Sequence, residues 1–242
     1  MVSKSAIVST LPVPIYLRAK WLDSRLRDPG GHSRRQRMRR IETPDGYSYE
    51  PFDRTRSIFV HVPKCAGVSV CRALYGNLGP GHTPFSEYPW IFDPNSFQSY
   101  FKFTFVRNPW DRLVSAYHFL KRGGMNDADL EFAKVELKPY NSFDAFVRGW
   151  LNEDNIWKRH HFRPQFFYLE DLHRRVHLDF IGRFENLRND FLYVADKLKI
   201  SADLPRSNMS THLEFRSLYS DETRAIVSRV YAQDIKQLQY TF

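Results

Sequence analysis

The sequence predicts an α/β fold in which a central parallel sheet carries helices on both faces. Two observations lead there. Short β-branched and aromatic runs alternate with longer segments of helical periodicity, the pattern of strand–helix–strand units. The 14 prolines and 11 glycines fall mostly between the apolar runs, so they punctuate elements instead of breaking them.

The elements follow in order. Ser57-Ile-Phe-Val-His-Val62 reads as a buried strand that stops at Pro63. A helix follows from about Gly67 to Tyr75, and Gly79-Pro-Gly-His-Thr-Pro84 is dense in turn residues, a surface loop. Phe101-Lys-Phe-Thr-Phe-Val106 is a second strand. It enters a helix whose cap is Asn108, whose first turn suits Pro109, and which Gly123-Gly124 stops. Asp144 to Leu151 reads as helical, Phe166 to Leu169 as a short strand, Asp179 to Phe184 as a stronger one, and Leu187 to Leu198 as a helix. The last long helix starts near Asp221 with Ser220 as cap, and Ile226, Val227, Val230, Tyr231, Ile235 and Leu238 mark one buried face.

With 42% hydrophobic and 16% aromatic residues over 242 positions, the chain has the apolar surface for one core. That composition excludes collagenous, coiled-coil and wholly disordered classes. The net charge of +9 is concentrated in residues 1–40, which hold ten Lys and Arg against two Asp. The expected organisation is therefore a basic, flexible segment over 1–56 and a catalytic domain over 57–242. The run Arg34-Arg-Gln-Arg-Met-Arg-Arg40 has the charge to touch acidic lipid, nucleic acid or a polyanionic acceptor, but reads first as a solvated tail, because like charges repel, and no nucleic-acid partner is expected. The apolar stretch Ala6 to Leu17 is broken by Pro12 and Pro14 and is too short to span a membrane. It lacks a secretory cleavage site, so a cytoplasmic location is the expectation. Cys65 and Cys71 are the only cysteines, with no second pair to suggest a zinc site. Nothing in the sequence speaks to oligomeric state.

Chemistry concentrates at two strand ends. In Val60-His-Val-Pro-Lys-Cys-Ala-Gly-Val-Ser-Val70 a strand turns through small residues into a helix. Backbone N–H groups at such a helix start favour an anion, Lys64 adds a mobile charge, and Ser69 adds a hydroxyl. The same pattern also occurs as an ordinary connection. No Gly-Lys-Ser/Thr triplet stands at Walker A spacing, which counts against a nucleotide-dependent phosphotransferase, the main alternative. The second motif is Phe105-Val-Arg-Asn-Pro-Trp-Asp-Arg-Leu-Val-Ser-Ala-Tyr117. Arg107 at the strand tip can grip a phosphate bidentately and Ser115 can complete the site; equally, Arg107 can pair with a carboxylate and Ser115 can pack against a helix.

Taken together the two motifs resemble those of the sulfotransferases that use 3'-phosphoadenosine-5'-phosphosulfate (PAPS), in particular the carbohydrate group that includes heparan sulfate 2-O-sulfotransferase. The likeness extends through His160-His-Phe-Arg-Pro-Gln165, Phe180-Ile-Gly-Arg-Phe-Glu-Asn-Leu187 and Asn208-Met-Ser-Thr-His212. It implies a three-layer, P-loop-like fold, PAPS as co-substrate, no metal, and an acceptor hydroxyl on a carbohydrate or small metabolite. By the same resemblance Pro63, Lys64, Cys65, Ala66, Gly67, Val68 and Ser69 hold the 5'-phosphosulfate, Arg107 and Ser115 hold the 3'-phosphate, and Ser210 approaches the nucleotide. Cys65 and Val68 depart from the family, which often has Thr there.

Sulfuryl transfer needs in-line attack and charge stabilisation on the leaving oxygen. Lys64 suits the second task. His82 is the first candidate for the base, since the 2-O-sulfotransferases place a catalytic histidine in a similar Gly-His segment; the competing reading is that it only hydrogen-bonds within its turn. His160, His161 and Arg163 are candidates to line the acceptor site, with either histidine a second choice of base. His61 is expected to be a satisfied core histidine, Glu185 and Asn186 to be organisers of the site, and Trp90, Trp110, Trp150 and Trp157 either to stack on an acceptor or to belong to the core.

Overall fold

Two parallel pairings define the centre of the molecule. Strand β1 (Ser57–Val60) aligns Ser57 with Phe101 of β2 (Phe101–Val106), and β2 aligns Phe103 with Phe180 of β3 (Phe180–Arg183), giving the order β1-β2-β3. The computed structural model describes residues 13–41, 47–171, 173–204 and 215–242. Aromatic residues suit these strands because their rings pack across the pleated surface: Phe59 stacks on its register partner Phe103 at 5.0 Å between centroids. Gly182 is needed for the same packing, since a Cβ there would come within 2.6 Å of the Phe105 ring.

Parallel strands require long crossovers, and helices supply them. After β1 comes α4 (Gly67–Tyr75), then the short helices α5 (Tyr88–Ile91) and α6 (Pro94–Ser99). After β2 come α7 (Pro109–Lys121), α8 (Asp127–Phe132), α9 (Phe143–Gly149) and α10 (Gln165–Leu169). Helix α11 (Leu187–Lys197) follows β3, and α12 (Asp221–Val230) and α13 (Ala232–Leu238) complete the fold. The α/β class with a parallel sheet is thus as the sequence predicts.

Several local expectations are corrected. Residues 13–38, predicted to trail as a solvated segment, form helices α1 (Val13–Arg27) and α2 (Pro29–Met38), preceding α3 (Glu50–Thr55). They are held by contacts that charge counting overlooks. Tyr16 and Leu17 are buried, Gln36 donates to the Ile91 carbonyl at 2.8 Å, and Arg39 forks onto Asp53 with two bonds of 2.7 Å. Phe166 to Leu169 belongs to a helix, not a strand, because the buried Asp234 carboxylate accepts the N–H groups of Gln165 and Phe166 at 2.7 and 3.0 Å and so caps α10. The last helix is two. Tyr231 leaves helical geometry at φ −109°, its hydroxyl tied to the Phe162 carbonyl at 2.7 Å, while the Ser220–Thr223 capping box starts α12 as expected. Among the described residues no helix is long and apolar enough to cross a membrane.

Candidate functional site

The loop after β1 is built on strained backbone. Lys64 and Ala66 both adopt left-handed conformations, φ 68° and 64°, which cost non-glycine residues free energy and collect at functional sites. The result is a tight turn that ends β1 and starts α4 within a few residues. The first-turn N–H groups of Gly67, Val68 and Ser69 have no intrahelical acceptor, as at any helix start. Gly67 is required here: a Cβ would fall 1.8 Å from the His61 ring, so only glycine lets that imidazole press against the helix start. Val68 and Ser69 are half-buried and Pro63 is buried.

Lys64 is the half-buried charge of this loop. Its ammonium lies 3.8 Å from the centroid of Phe119 on α7, and among the described residues it makes no ion pair. Burial, then the Arg107 and Arg122 charges, pull its pKa down to about 8. Such a desolvated, uncompensated cation is a fitting partner for an anion. Cys65 points the other way, its thiol reaching the Pro63 carbonyl at 3.6 Å and Gln165 Oε1 at 3.4 Å. Burial pushes that thiol up to about 12, so it stays protonated. Cys65 and Cys71 are both free.

Arg107 brings the second motif against the first. Its guanidinium is buried, forks onto Asp111 at 2.7 and 2.9 Å, donates to the Lys64 carbonyl at 3.2 Å, and stacks over Phe184 at 3.9 Å. The carboxylate pairing weighed for Arg107 is present, together with direct contact to the Lys64 loop. Ser115 is half-buried on α7 and shares no hydrogen bond with Arg107 among the described residues. Ser210 lies outside the described residues, as do Asn208 and His212. Asn108 caps α7 by accepting from Trp110 N at 3.1 Å, and its own N–H donates to Glu185 at 2.6 Å. Glu185 also accepts from Tyr240 at 3.0 Å, an organising role of the kind expected of it.

His82 sits in a loop that is largely buried and not superficial. Gly79 and Gly81 turn it with φ of 67° and 76°, Asn77 accepts from Gly79 N at 2.8 Å, and the loop folds back over β1. His82 Nδ1 is 2.9 Å from the His61 carbonyl. A carbonyl only accepts, so Nδ1 carries the proton and Nε2 holds the lone pair. That imidazole meets His160 at 4.9 Å and His161 at 6.0 Å between ring centroids. Burial lowers the pKa of His82 and of His160 to about 4, and lowers that of His161 further. Arg163 stacks over Phe167 at 5.2 Å. His61 is a buried core residue but not a satisfied one, for among the described residues its Nδ1 has no hydrogen-bond partner. Trp110 and Trp150 belong to the core, and Trp157 is 45% exposed.

One residue that motif reading passes over holds these parts together. Gln165, fully buried, accepts from Arg107 N at 2.9 Å and donates to Arg107 O at 2.8 Å, while the same Oε1 receives the Cys65 thiol. A lone amide between Pro164 and an apolar run was the available signal. Arg112, also buried, donates to the carbonyls of His161 and Arg163 at 3.1 and 2.7 Å and so fixes the histidine turn to α7. Two cavities, of about 480 and 200 Å³, lie elsewhere: one between Phe166, Ile181 and Gln233, the other between Tyr16, Phe85 and Lys102.

Over most of its length the chain is similar to known proteins. A model of the sulfotransferase family matches residues 52–241. Carbohydrate sulfotransferase 14 of Mus musculus and of Homo sapiens are each 30% identical over 105 residues, which cover 38% of this chain and 27% of theirs. The matched region is thus about a quarter of those relatives' length. An uncharacterized protein of Archaeoglobus fulgidus is 30% identical over 124 residues, covering 50% of this chain and 88% of that protein. No solved structure matches significantly.

Proposed function

Because the chain belongs to the sulfotransferase family, we propose that it moves a sulfuryl group from PAPS to a hydroxyl of a carbohydrate or small hydroxylated metabolite by in-line displacement. The observation that carries this reading is the bond from the Arg107 guanidinium to the Lys64 carbonyl at 3.2 Å, which joins the two anion-binding junctions into one site. What the donor brings is an activated sulfur, whose bond to the bridging oxygen breaks as a bond to the acceptor oxygen forms.

The residues divide the remaining work. The turn from Pro63 to Ser69 offers backbone N–H groups at the start of α4 to the phosphosulfate end. Lys64, without an ion-pair partner among the described residues and partly desolvated, stabilises negative charge on the leaving oxygen. Arg107 and Ser115 take the 3'-phosphate, for which Arg107 gives up part of its bonding to Asp111. Ser210 is carried as a further nucleotide contact on the strength of the family likeness. His82 takes the acceptor's proton on Nε2, the nitrogen left bare by its bond to His61. His160, His161 and Arg163 border the same space and line the acceptor side. Positioning dominates, as in phosphoryl transfer.

The test is a pair of variants. Lys64→Ala should lower kcat by roughly 10²–10³-fold, the loss seen when one charge-stabilising donor is removed. Arg107→Ala should weaken binding of adenosine 3',5'-bisphosphate by about 10–100-fold, the worth of charge-assisted hydrogen bonds. Turnover by both purified variants at the unmodified rate and affinity would remove the assignment.

A further inference from the structure

We propose that His82, His160 and His161 together bind one divalent transition-metal ion of the zinc class, and that the bound ion silences turnover by occupying the lone pair of His82. The cysteines gave no sign of a metal centre; the imidazoles do. They come from two remote segments, the loop after α4 and the turn before α10, and one ring nitrogen of each lies within 4.8 Å of the others. Zinc holds imidazole nitrogens at about 2.0–2.1 Å, so pairwise separations must close by about 1.5 Å, within reach of side-chain rotation.

The surroundings are those of ligating histidines. Such a histidine donates its second ring N–H to a carbonyl or carboxylate, which fixes the tautomer and aims the other nitrogen. His82 already does so through the His61 carbonyl at 2.9 Å. His161 has Asp129 Oδ1 at 3.6 Å from Nδ1, and that carboxylate is itself held by Arg159 and by the Met125 N–H at 3.0 Å. His161 is 5% exposed, and among the described residues its Nδ1 makes no hydrogen bond. Neutral imidazoles packed this closely, His160 and His161 only 3.9 Å apart by centroid, gain a common partner when a cation enters. Lys64 and Arg163 bring positive charge to the same surroundings, and Asp129 brings the compensating carboxylate. Three nitrogen donors without a thiolate favour zinc or cobalt(II) over copper(I), magnesium or calcium.

This inference shares His82, His160 and His161 with the sulfuryl-transfer reading; the silencing of turnover rests on that reading, whereas the binding of the metal does not. The full chain, dialysed against EDTA, is titrated with Co²⁺ while visible absorption is followed, and Zn²⁺ binding is measured by calorimetry. One equivalent of Co²⁺ giving tetrahedral bands that Zn²⁺ displaces is the expected result, with His160→Gln and His161→Gln each weakening Zn²⁺ at least tenfold; circular dichroism verifies that both variants are folded. Absence of stoichiometric binding, or equal binding by both folded variants, overturns the site. Zn²⁺ should also lower kcat without changing affinity for adenosine 3',5'-bisphosphate, and unchanged turnover by the metal-loaded chain overturns the silencing. The metal readouts need no sulfuryl transfer, so each reading can fail alone.

Discussion

At the scale of single residues, His82 shows how a backbone contact selects a chemical role. Its Nδ1–H is spent on the His61 carbonyl, which leaves Nε2 as an acceptor in a ring that packs against two other imidazoles. Burial keeps the ring neutral above about pH 4, so the lone pair is free at neutral pH although its basicity is modest. His82→Ala should reduce kcat by about 10²–10⁴-fold, the usual contribution of a positioned base, with affinity for adenosine 3',5'-bisphosphate preserved. Loss of nucleotide affinity along with kcat, measured by calorimetry and steady-state kinetics, would instead make His82 a structural support. The sequence made this histidine visible through its Gly-His context, yet its neighbours His160 and His161 could be joined to it only by the fold. Lys64 was legible from its motif, whereas the depressed pKa and the Phe119 platform beneath it were not, because both depend on a helix that starts beyond the next strand.

Among elements, the joints matter more than the rods. Helices α4 and α7 were readable to within a residue or two, because local chemistry marks their ends: Gly76 in the left-handed conformation closes α4, while Asn108 with Pro109 and the paired glycines at 123 and 124 bound α7. Helix α10 was misread as a strand, since its aromatic run is ambiguous and its cap, Asp234, lies 69 residues away. The brace between β2, α10 and the Lys64 loop was equally hidden, for Gln165 reaches Arg107 across 58 residues. Replacing Gln165 with Leu leaves the buried Arg107 amide groups unpaired, and each such loss costs about 1–3 kcal/mol. The urea midpoint of Gln165→Leu should therefore fall by an amount corresponding to about 2–4 kcal/mol, and nucleotide affinity should fall with it as Arg107 loosens. An unaltered midpoint would show that the brace bears no weight.

For the molecule as a whole, the buried histidines set an acid limit. His61, His82, His160 and His161 are all held below the ordinary histidine pKa, chiefly by burial. The unfolded chain protonates near 6.5, so below that pH it binds protons that the folded chain refuses, and folding stability drops as pH falls. For His82 and His160 the loss is complete near pH 4, where the folded forms also protonate. Calorimetric melting midpoints should decline steadily from pH 7 to pH 5, a range above most carboxylate titrations; a flat profile would mean that the histidine cluster is already open to water. The sequence conveyed the α/β class because strand and helix periods differ, but it concealed the docking of α1 and α2, whose few buried residues are outnumbered by arginines. The sheet itself carries one more implication. Ser57 waits for Phe101, and Phe103 for Phe180, so no strand finds its partner nearby, and parallel pairing of this kind closes slowly. During translation β2 therefore keeps one aromatic edge unpaired until residue 183 has been made, an interval in which a partly folded chain is open to misassembly.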